Sequence, residues 1–281
     1  MSKQRTRSEG EVTSSVAQWA KWWVGQRRKK LDEVRHETMS INPFLVPAIQ
    51  MIHGLESPSA LSKFLVAVHF GIGHATGFGK LVDEKLLPNV FGTQKLDAST
   101  RKQLGLTAPE FDEIDHLVPG AGEPTLLSVK ASQWTIQLTM AVKLNHVFSQ
   151  LVTHRRKRVY KFSKIVVGVY SDRRESLSDK YDIVCGINRG KQHGVIDLRG
   201  DVEVLAGTDF WAWLNGGERQ TARWVSRGIV RGCSEAFHES GDLKQQVRDF
   251  EQQVADNISS DGQLNWDALV DRVSGAPEDA T

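Results

Sequence analysis

The chain reads as an α/β protein: a central mixed β-sheet flanked by helices, with further helical elements at its N- and C-terminal ends. Three observations predict this. Residues 164–170, KIVVGVY, form a continuous β-branched run of the kind found in strands buried on both faces. Residues 133–152 repeat apolar side chains at helical spacing: Trp134, Leu138, Ala141, Leu144, Phe148 and Leu151. Along the chain the order is helices, then strands around a helix, then strands, then helices. At 281 residues, 40% of them apolar, there is enough chain for one large domain or for a core with accessory elements.

Taken in order, residues 15–38 read as an amphipathic helix whose apolar face carries Val16, Trp19, Trp22 and Trp23. Pro43 breaks that pattern and suits the first turn of a second helix over 43–53. A third helix is expected over 58–70, with Ser57 as its cap and Pro58 in its first turn. Residues 71–79, GIGHATGFG, read as a flexible lead into the helical stretch KLVDEKLLP, which Pro88 ends. No GK[ST] follows these glycines at the spacing a phosphate-binding loop requires. Residues 89–109 look like irregular connection. Two short adjacent strands are expected, one carrying Asp115 and the next Lys130, then strands over 164–170, 181–187, 195–198 and 202–205. Helices follow over 210–214, 221–237 and 243–258. The organisation expected is an N-terminal helical region over 1–70, a core over 71–215, and a C-terminal helical region with an acidic tail over 216–281.

The net charge of +2 hides an asymmetry. From Glu239 to the end, ten acidic residues face three basic ones, a net of −7 that leaves +9 on the remaining chain. Basic residues cluster at Arg27, Arg28, Lys29 and Lys30, at Arg155, Arg156, Lys157, Arg158, Lys161 and Lys164, and at Arg173 and Arg174. A basic body suits a polyanion, although each cluster alone could be a solvated helix end. No apolar run approaches the ~20 residues that cross a bilayer, and MSKQRTRSEGEVTSS has no apolar signal core. Cys185 and Cys233 lack metal-type spacing. A cytoplasmic protein with no membrane partner is expected.

The segment FDEIDHLVPGAGEPTLLSVKAS, residues 111–132, concentrates the chemistry. It sets Asp115 at the end of one short apolar run and Lys130 at the end of the next, joined by a turn rich in proline and glycine. Residues 128 and 130 of a strand point to one face, so Ser128 and Lys130 share a side. Asp115, the Val129 carbonyl and waters would make a hard-cation site, with Lys130 beside it to position or deprotonate an attacking water. Glu84 is the candidate for a second carboxylate, with Glu113 and Glu123 behind it. A plain cross-strand ion pair would look the same from spacing. For nucleic-acid contact the candidates are Gln133, Thr135 and Gln137 at the start of the long helix, Arg173 and Arg174, and the loop residues Asn188, Arg189, Lys191, Gln192 and His193. Solvated polar surface is the competing reading for each.

Several contiguous stretches resemble a known group. They are ETMSINPF, TGFGKLVDEKLLPNVFG, FDEIDH, LLSVKASQWTIQLTMAVKLN, KIVVGVY, DKYDIVCGIN, VIDLRGDVEVLAGTDFWAWLNGG and ARWVSRGI, in one order across most of residues 17–230. The chain resembles type II restriction endonucleases of the PD-(D/E)xK superfamily, in the group that cuts the interrupted palindrome RGGNCCY. The resemblance implies a restriction-endonuclease-like core, Asp115 as metal-binding carboxylate and Lys130 as catalytic lysine. It also implies Mg²⁺ as cofactor, double-stranded DNA as substrate, 5′-phosphate ends and a homodimer. A cognate DNA methyltransferase would be a functional rather than physical partner. Ser128 stands where the superfamily usually carries Glu or Asp, which leaves the second acidic ligand open. A repair or structure-specific nuclease on the same core, or an inactive DNA-binding module, are the alternatives.

Overall fold

A capping box opens the first helix, α1 (Glu9–Glu33). The Ser8 N–H donates to Glu11 Oε2 at 2.8 Å, and the Glu11 N–H reaches back to Ser8 Oγ at 3.4 Å. The helix thus begins ahead of residue 15, and the signal was the Ser8-x-x-Glu11 spacing. The computed structural model describes residues 5–33, 42, 44–188, 192–240, 243–260, 263–267 and 270–271. Pro43 lies outside them, and the second helix, α2, is described over Val46–His53. The chain divides into two compact units, Met1–Ala20 with Gly79–Gly232, and Lys21–Phe78 with Cys233–Thr281. The segments 1–70 and 216–281 each contribute to both.

The third helix, α3, starts where expected, with Ser57 Oγ accepting from the Ala60 N–H at 3.2 Å. It does not stop at the glycines: it runs Pro58–Leu81. A single π-helical turn, Val82–Leu86, and a short helix, α4 (Leu87–Phe91), follow directly. Pro88 therefore sits inside helical structure instead of ending it. A proline has no N–H for the i→i−4 bond, and the wider π turn just before it accommodates that missing donor. Residues 89–109 are more ordered than expected. They hold β1 (Gln94–Lys95) and α5 (Ala98–Gln103), which Asp97 Oδ1 caps by accepting from the Thr100 N–H at 2.7 Å.

The unit containing Gly79–Gly232 is built on a five-stranded mixed sheet. To β1 it adds β2 (His116–Val118), β3 (Thr125–Lys130), β4 (Ile165–Val169) and β5 (Val202–Ala206), in the spatial order β1-β2-β3-β4-β5. The first two pairings are antiparallel; β3 with β4 and β4 with β5 are parallel. Between β3 and β4 runs the helix α6 (Leu138–Arg156), whose Ala141, Leu144, Phe148 and Leu151 join Leu126, Ile165, Val167, Val202 and Val204 in one core. The helix starts later than residue 133. Trp134 and Leu138, placed on its apolar stripe by periodicity, are instead exposed.

Residues 181–187 were expected as a strand and form a helix, α7 (Lys180–Val184). Tyr181, Asp182, Ile183 and Val184 are all buried, so the run carries no periodicity, and a short buried helix and a buried strand look alike. Residues 195–198 were expected as a strand but lie outside the ladder; among the described residues an isolated Arg199–Val202 bridge follows. Buried Asn145 of α6 holds this segment. Its Nδ2 donates to the Val184 and Ile196 carbonyls at 3.2 and 2.8 Å, and its Oδ1 accepts from the Ile196 N–H at 2.8 Å. Asn145→Ala is expected to cost about 2–4 kcal/mol in urea unfolding, because it orphans three main-chain groups. A loss under ~0.5 kcal/mol would show that the clamp does not matter.

After β5 come α8 (Gly207–Leu214) and α9 (Thr221–Ser240). Gly228 and Gly232 of α9 let it close on Val16, Ala17 and Ala20 of α1; a Cβ on Gly228 would come within 2.6 Å of the Val16 Cβ. In the other unit, α10 (Leu243–Asn257) places Phe250 and Val254 against Val46, Leu61, Leu65 and Val66. A short antiparallel pair, β6 (Ser259–Ser260) with β7 (Gln263–Leu264), follows and was not anticipated. Among the described residues no helix is long and apolar enough to cross a membrane.

Candidate active site

The pairing of β2 with β3 sets His116 opposite Leu127. Asp115 therefore stands where the ladder ends, and its N–H donates to the Leu127 carbonyl at 2.9 Å. Its carboxylate turns along the edge: Oδ2 accepts from the Val129 N–H at 2.6 Å. In a strand, the N–H and C=O of one residue point the same way. The Val129 carbonyl thus faces the side on which Asp115 lies. Lys130, at the last position of β3, donates from Nζ to Ser128 Oγ at 3.0 Å. Ser128 is fully buried, so the hydroxyl aims the lysine from beneath. The expected shared face of Ser128 and Lys130 is the one observed.

A second carboxylate reaches this edge, and it is Asp83 rather than Glu84. Glu84 is exposed. Asp83, its neighbour on the π turn, bonds His116 Nε2 through Oδ1 at 2.8 Å and pairs with Lys95 through Oδ2. Thr93 Oγ1 closes the chain on His116 Nδ1 at 3.0 Å. The reason this was not legible is geometric. Each residue of an α-helix advances the side-chain direction by about 100°, and a π turn shifts that phase. A choice between adjacent residues 83 and 84 turns on it. The neighbourhood of Asp83 to the DEKLLP proline was the available signal.

The two carboxylates are tuned in opposite directions. Burial pushes Asp115 above its ordinary value, against the pull of Lys130 and the Val129 N–H, and the like charge of Asp83 adds to the rise. Burial would raise Asp83 too, but its bonds to His116 and Lys95 outweigh that and hold it below. The Tyr170 hydroxyl is raised by burial and then by Asp83. Split titration of neighbouring acids is a recurrent mark of functional sites and also of structural ion-pair networks. Among the described residues no three His, Cys, Asp or Glu side chains converge as a ready metal site. A hard cation here would rest on two carboxylates, one carbonyl and water. That all-oxygen donor set fits Mg²⁺, which keeps several of its waters.

The candidate DNA contacts divide. Parallel pairing sets Lys130 beside Val169, so the chain leaving β4 starts at the same sheet end as the site. Arg173 is exposed there, whereas Arg174 is taken up by buried Asp182 at 2.7 Å. Gln133 and Gln137 do not share a helical face, since α6 starts at Leu138 with Gln137 at its cap position. The Gln133 N–H donates to Asp172 Oδ2 at 2.5 Å, and Thr135 Oγ1 accepts from the Ser132 N–H at 2.9 Å. Asn188 Oδ1 accepts from the His193 N–H at 3.1 Å, Gln192 is exposed, and Arg189 and Lys191 lie outside the described residues.

The basic cluster over 155–164 lies at the opposite end of the sheet. Lys161 and Lys164 precede β4, beside the start of β3, about 16 Å of strand away from Lys130. Arg155 and Arg156 both pair with Asp201, and Lys164 pairs with Glu203. These charges fasten the ends of β4 and β5. No protein-family model matches the chain, and no curated protein matches it.

Proposed function

We propose that this protein is a Mg²⁺-dependent, site-specific endonuclease of double-stranded DNA, a type II restriction enzyme acting as a homodimer. The observation that carries the proposal is the meeting of Asp115, Lys130 and Asp83 at one edge of a mixed five-stranded sheet. That sheet is compatible with the PD-(D/E)xK core that the sequence resemblance implies. Asp115 and Asp83, with the Val129 carbonyl, would hold the cation. Bound there, Mg²⁺ supplies positive charge at the phosphate and acidifies a coordinated water. Lys130, steered by Ser128, holds the attacking water in line with the scissile P–O bond. Its charge also lies where negative charge builds on the phosphoryl oxygens. The water oxygen bonds to phosphorus as its proton passes to bulk water, the bond to the 3′ oxygen breaks and that oxygen takes a proton from water, and the products are a 5′-phosphate and a 3′-hydroxyl. His116 and Thr93 hold Asp83 in one orientation, as supporting partners of ligating carboxylates do.

The test is a plasmid digest in Mg²⁺ with sequencing of fragment ends. Discrete fragments with 5′-phosphates at one palindromic sequence are expected, and a site of the RGGNCCY type is the sequence to look for first. Uncut plasmid, or random nicking, would overturn the proposal. Among variants, Asp83→Asn should slow cutting about 100-fold or more, while Glu84→Gln stays within about twofold of wild type. The reverse ranking would return the second carboxylate to Glu84.

A further inference from the structure

The loop leaving β3 holds one tryptophan out into solvent while anchoring every residue around it, and we propose that Trp134 is a wedge that stacks on a base of the bound duplex next to the cut. The inference rests on the nuclease reading of the Asp115–Lys130 edge. Trp134 is 76% exposed, the most exposed tryptophan among the described residues. Lone exposed apolar side chains are ordinary, so exposure alone decides nothing. What distinguishes this one is the way its loop is fixed.

On the side nearer Lys130, Ser171 Oγ donates to the Ala131 carbonyl at 2.5 Å, and the Tyr181 hydroxyl donates to the Ser132 carbonyl at 2.7 Å. The Gln133 N–H is held by Asp172. On the far side, the Thr135 N–H donates to the Ser132 carbonyl at 3.1 Å and Thr135 Oγ1 accepts from the Ser132 N–H, which closes a turn over residues 132–135. Ile136 is buried at 1% exposure. The backbone has been ordered already, so binding through the indole would carry little further entropy cost. A flexible loop would display its aromatic by accident; this one does so by construction.

Position supplies the partner. Four residue steps lead from Lys130 to Trp134, at most about 14 Å of extended chain. At a rise of 3.4 Å per base along a strand, that is about four base steps. A duplex that brings its scissile phosphate to Lys130 and passes over this loop would present a base step within the reach of the ring. Inserted apolar side chains unstack such steps and kink the duplex, and an aromatic face recovers part of the lost stacking. Such a contact tolerates sequence, because every base has a π-face, but it favours steps that open easily.

The test uses the full chain with Ca²⁺ replacing Mg²⁺, and a short duplex carrying the cleavage site mapped by digestion. 2-Aminopurine is placed in turn at each base within four steps of the cut. Wild type should raise the 2-aminopurine emission at one position. Trp134→Ala should lose that rise and bind about 10- to 100-fold more weakly, while Trp134→Phe keeps both within about threefold. All three should melt at the same temperature. Trp134→Ala that binds within twofold of wild type with the same emission overturns the wedge and leaves the nuclease reading intact. A variant that loses self-association without DNA, but keeps the emission rise, assigns the ring to a second copy of the chain and equally overturns it. Wild type that neither cuts nor binds the duplex fails the nuclease reading, and the wedge with it.

Discussion

Asp115→Asn is expected to abolish DNA hydrolysis, by about a thousandfold or more, in a protein at least as thermally stable as wild type at neutral pH. The loss follows from removing one of the two anionic donors proposed for the cation and the charge beside Lys130; such centres supply several kcal/mol of transition-state stabilisation. Stability follows from the environment of the carboxyl. Burial raises it above its ordinary value of 3.8, so the folded protein binds a proton more readily than the unfolded chain. By linkage, the ionised group opposes folding above that range, and the opposition disappears once pH falls below the ordinary value. Asparagine carries no charge, and its Oδ1 can accept from the Val129 N–H as the carboxylate does. The melting temperatures of the two proteins should therefore differ most near pH 7 and converge towards pH 4. A variant that melts well below wild type at pH 7 would show that the attraction between Asp115 and Lys130 outweighs the burial cost. Sites that keep a charge where folding alone would not are a familiar form of conflict between stability and function.

Asp83 behaves in the opposite sense, and the contrast explains how two acids can share an edge. Its bonds to His116 and Lys95 hold its carboxyl below the ordinary range, so it favours folding above that range and loses the contribution as pH falls through its lowered value. One carboxylate is stabilised in its charged form by a buried network; the other is held charged against its surroundings. The second is the group that gains most from a cation. That asymmetry also argues for Asp115 as the principal ligand and Asp83 as the partner already committed to protein contacts.

How much of this could be read from the chain varies with the element. KIVVGVY was legible as a buried strand because its apolar run is longer than any turn and has no polar interruption. The shared side of Ser128 and Lys130 was legible because a period of two fixes which residues share a face; Asp115, expected on the neighbouring strand, stands just before β2 instead, after a 3-10 turn over Pro109–Glu113. YDIVCGI was not legible, since a buried single-turn helix and a buried strand have the same composition. Trp134 was misplaced for a related reason. Its spacing to Leu138 and Ala141 matches a helix, but Ser132 and Thr135 hydrogen-bond the local backbone into a turn first, and the helix starts only at Leu138. The partners of the basic cluster were not legible, because charge counts say nothing about direction: Asp201 and Glu203, far along the sequence, pair with Arg155, Arg156 and Lys164 at the other end of the sheet.

Gly168→Ala is expected to cost the sheet unit about 3 kcal/mol or more, and Gly168→Val to prevent its stable folding. Gly168 lies in the middle of β4, directly across from Val129. A glycine there looks like a defect, because it weakens a strand and packs nothing. The ring of Phe210 on α8 explains it: a Cβ would overlap Cε2 and come within 2.7 and 2.9 Å of Cδ2 and Cζ. Carbon atoms pack at about 3.5–4.0 Å, and Phe210 is fully buried, so its ring must shift within the core. Either α8 lifts or β4 bows away from it. Bowing would move Val129 and Lys130, which hang on β4 through the parallel ladder, so cleavage should fall further than the fraction unfolded accounts for. Denaturant unfolding measures the first effect, and turnover per folded molecule measures the second. Phe210→Ala in the Gly168→Ala background should recover part of both, because it removes the atoms that the new methyl meets. No recovery would mean that the glycine is required by the β4 backbone itself rather than by the ring upon it.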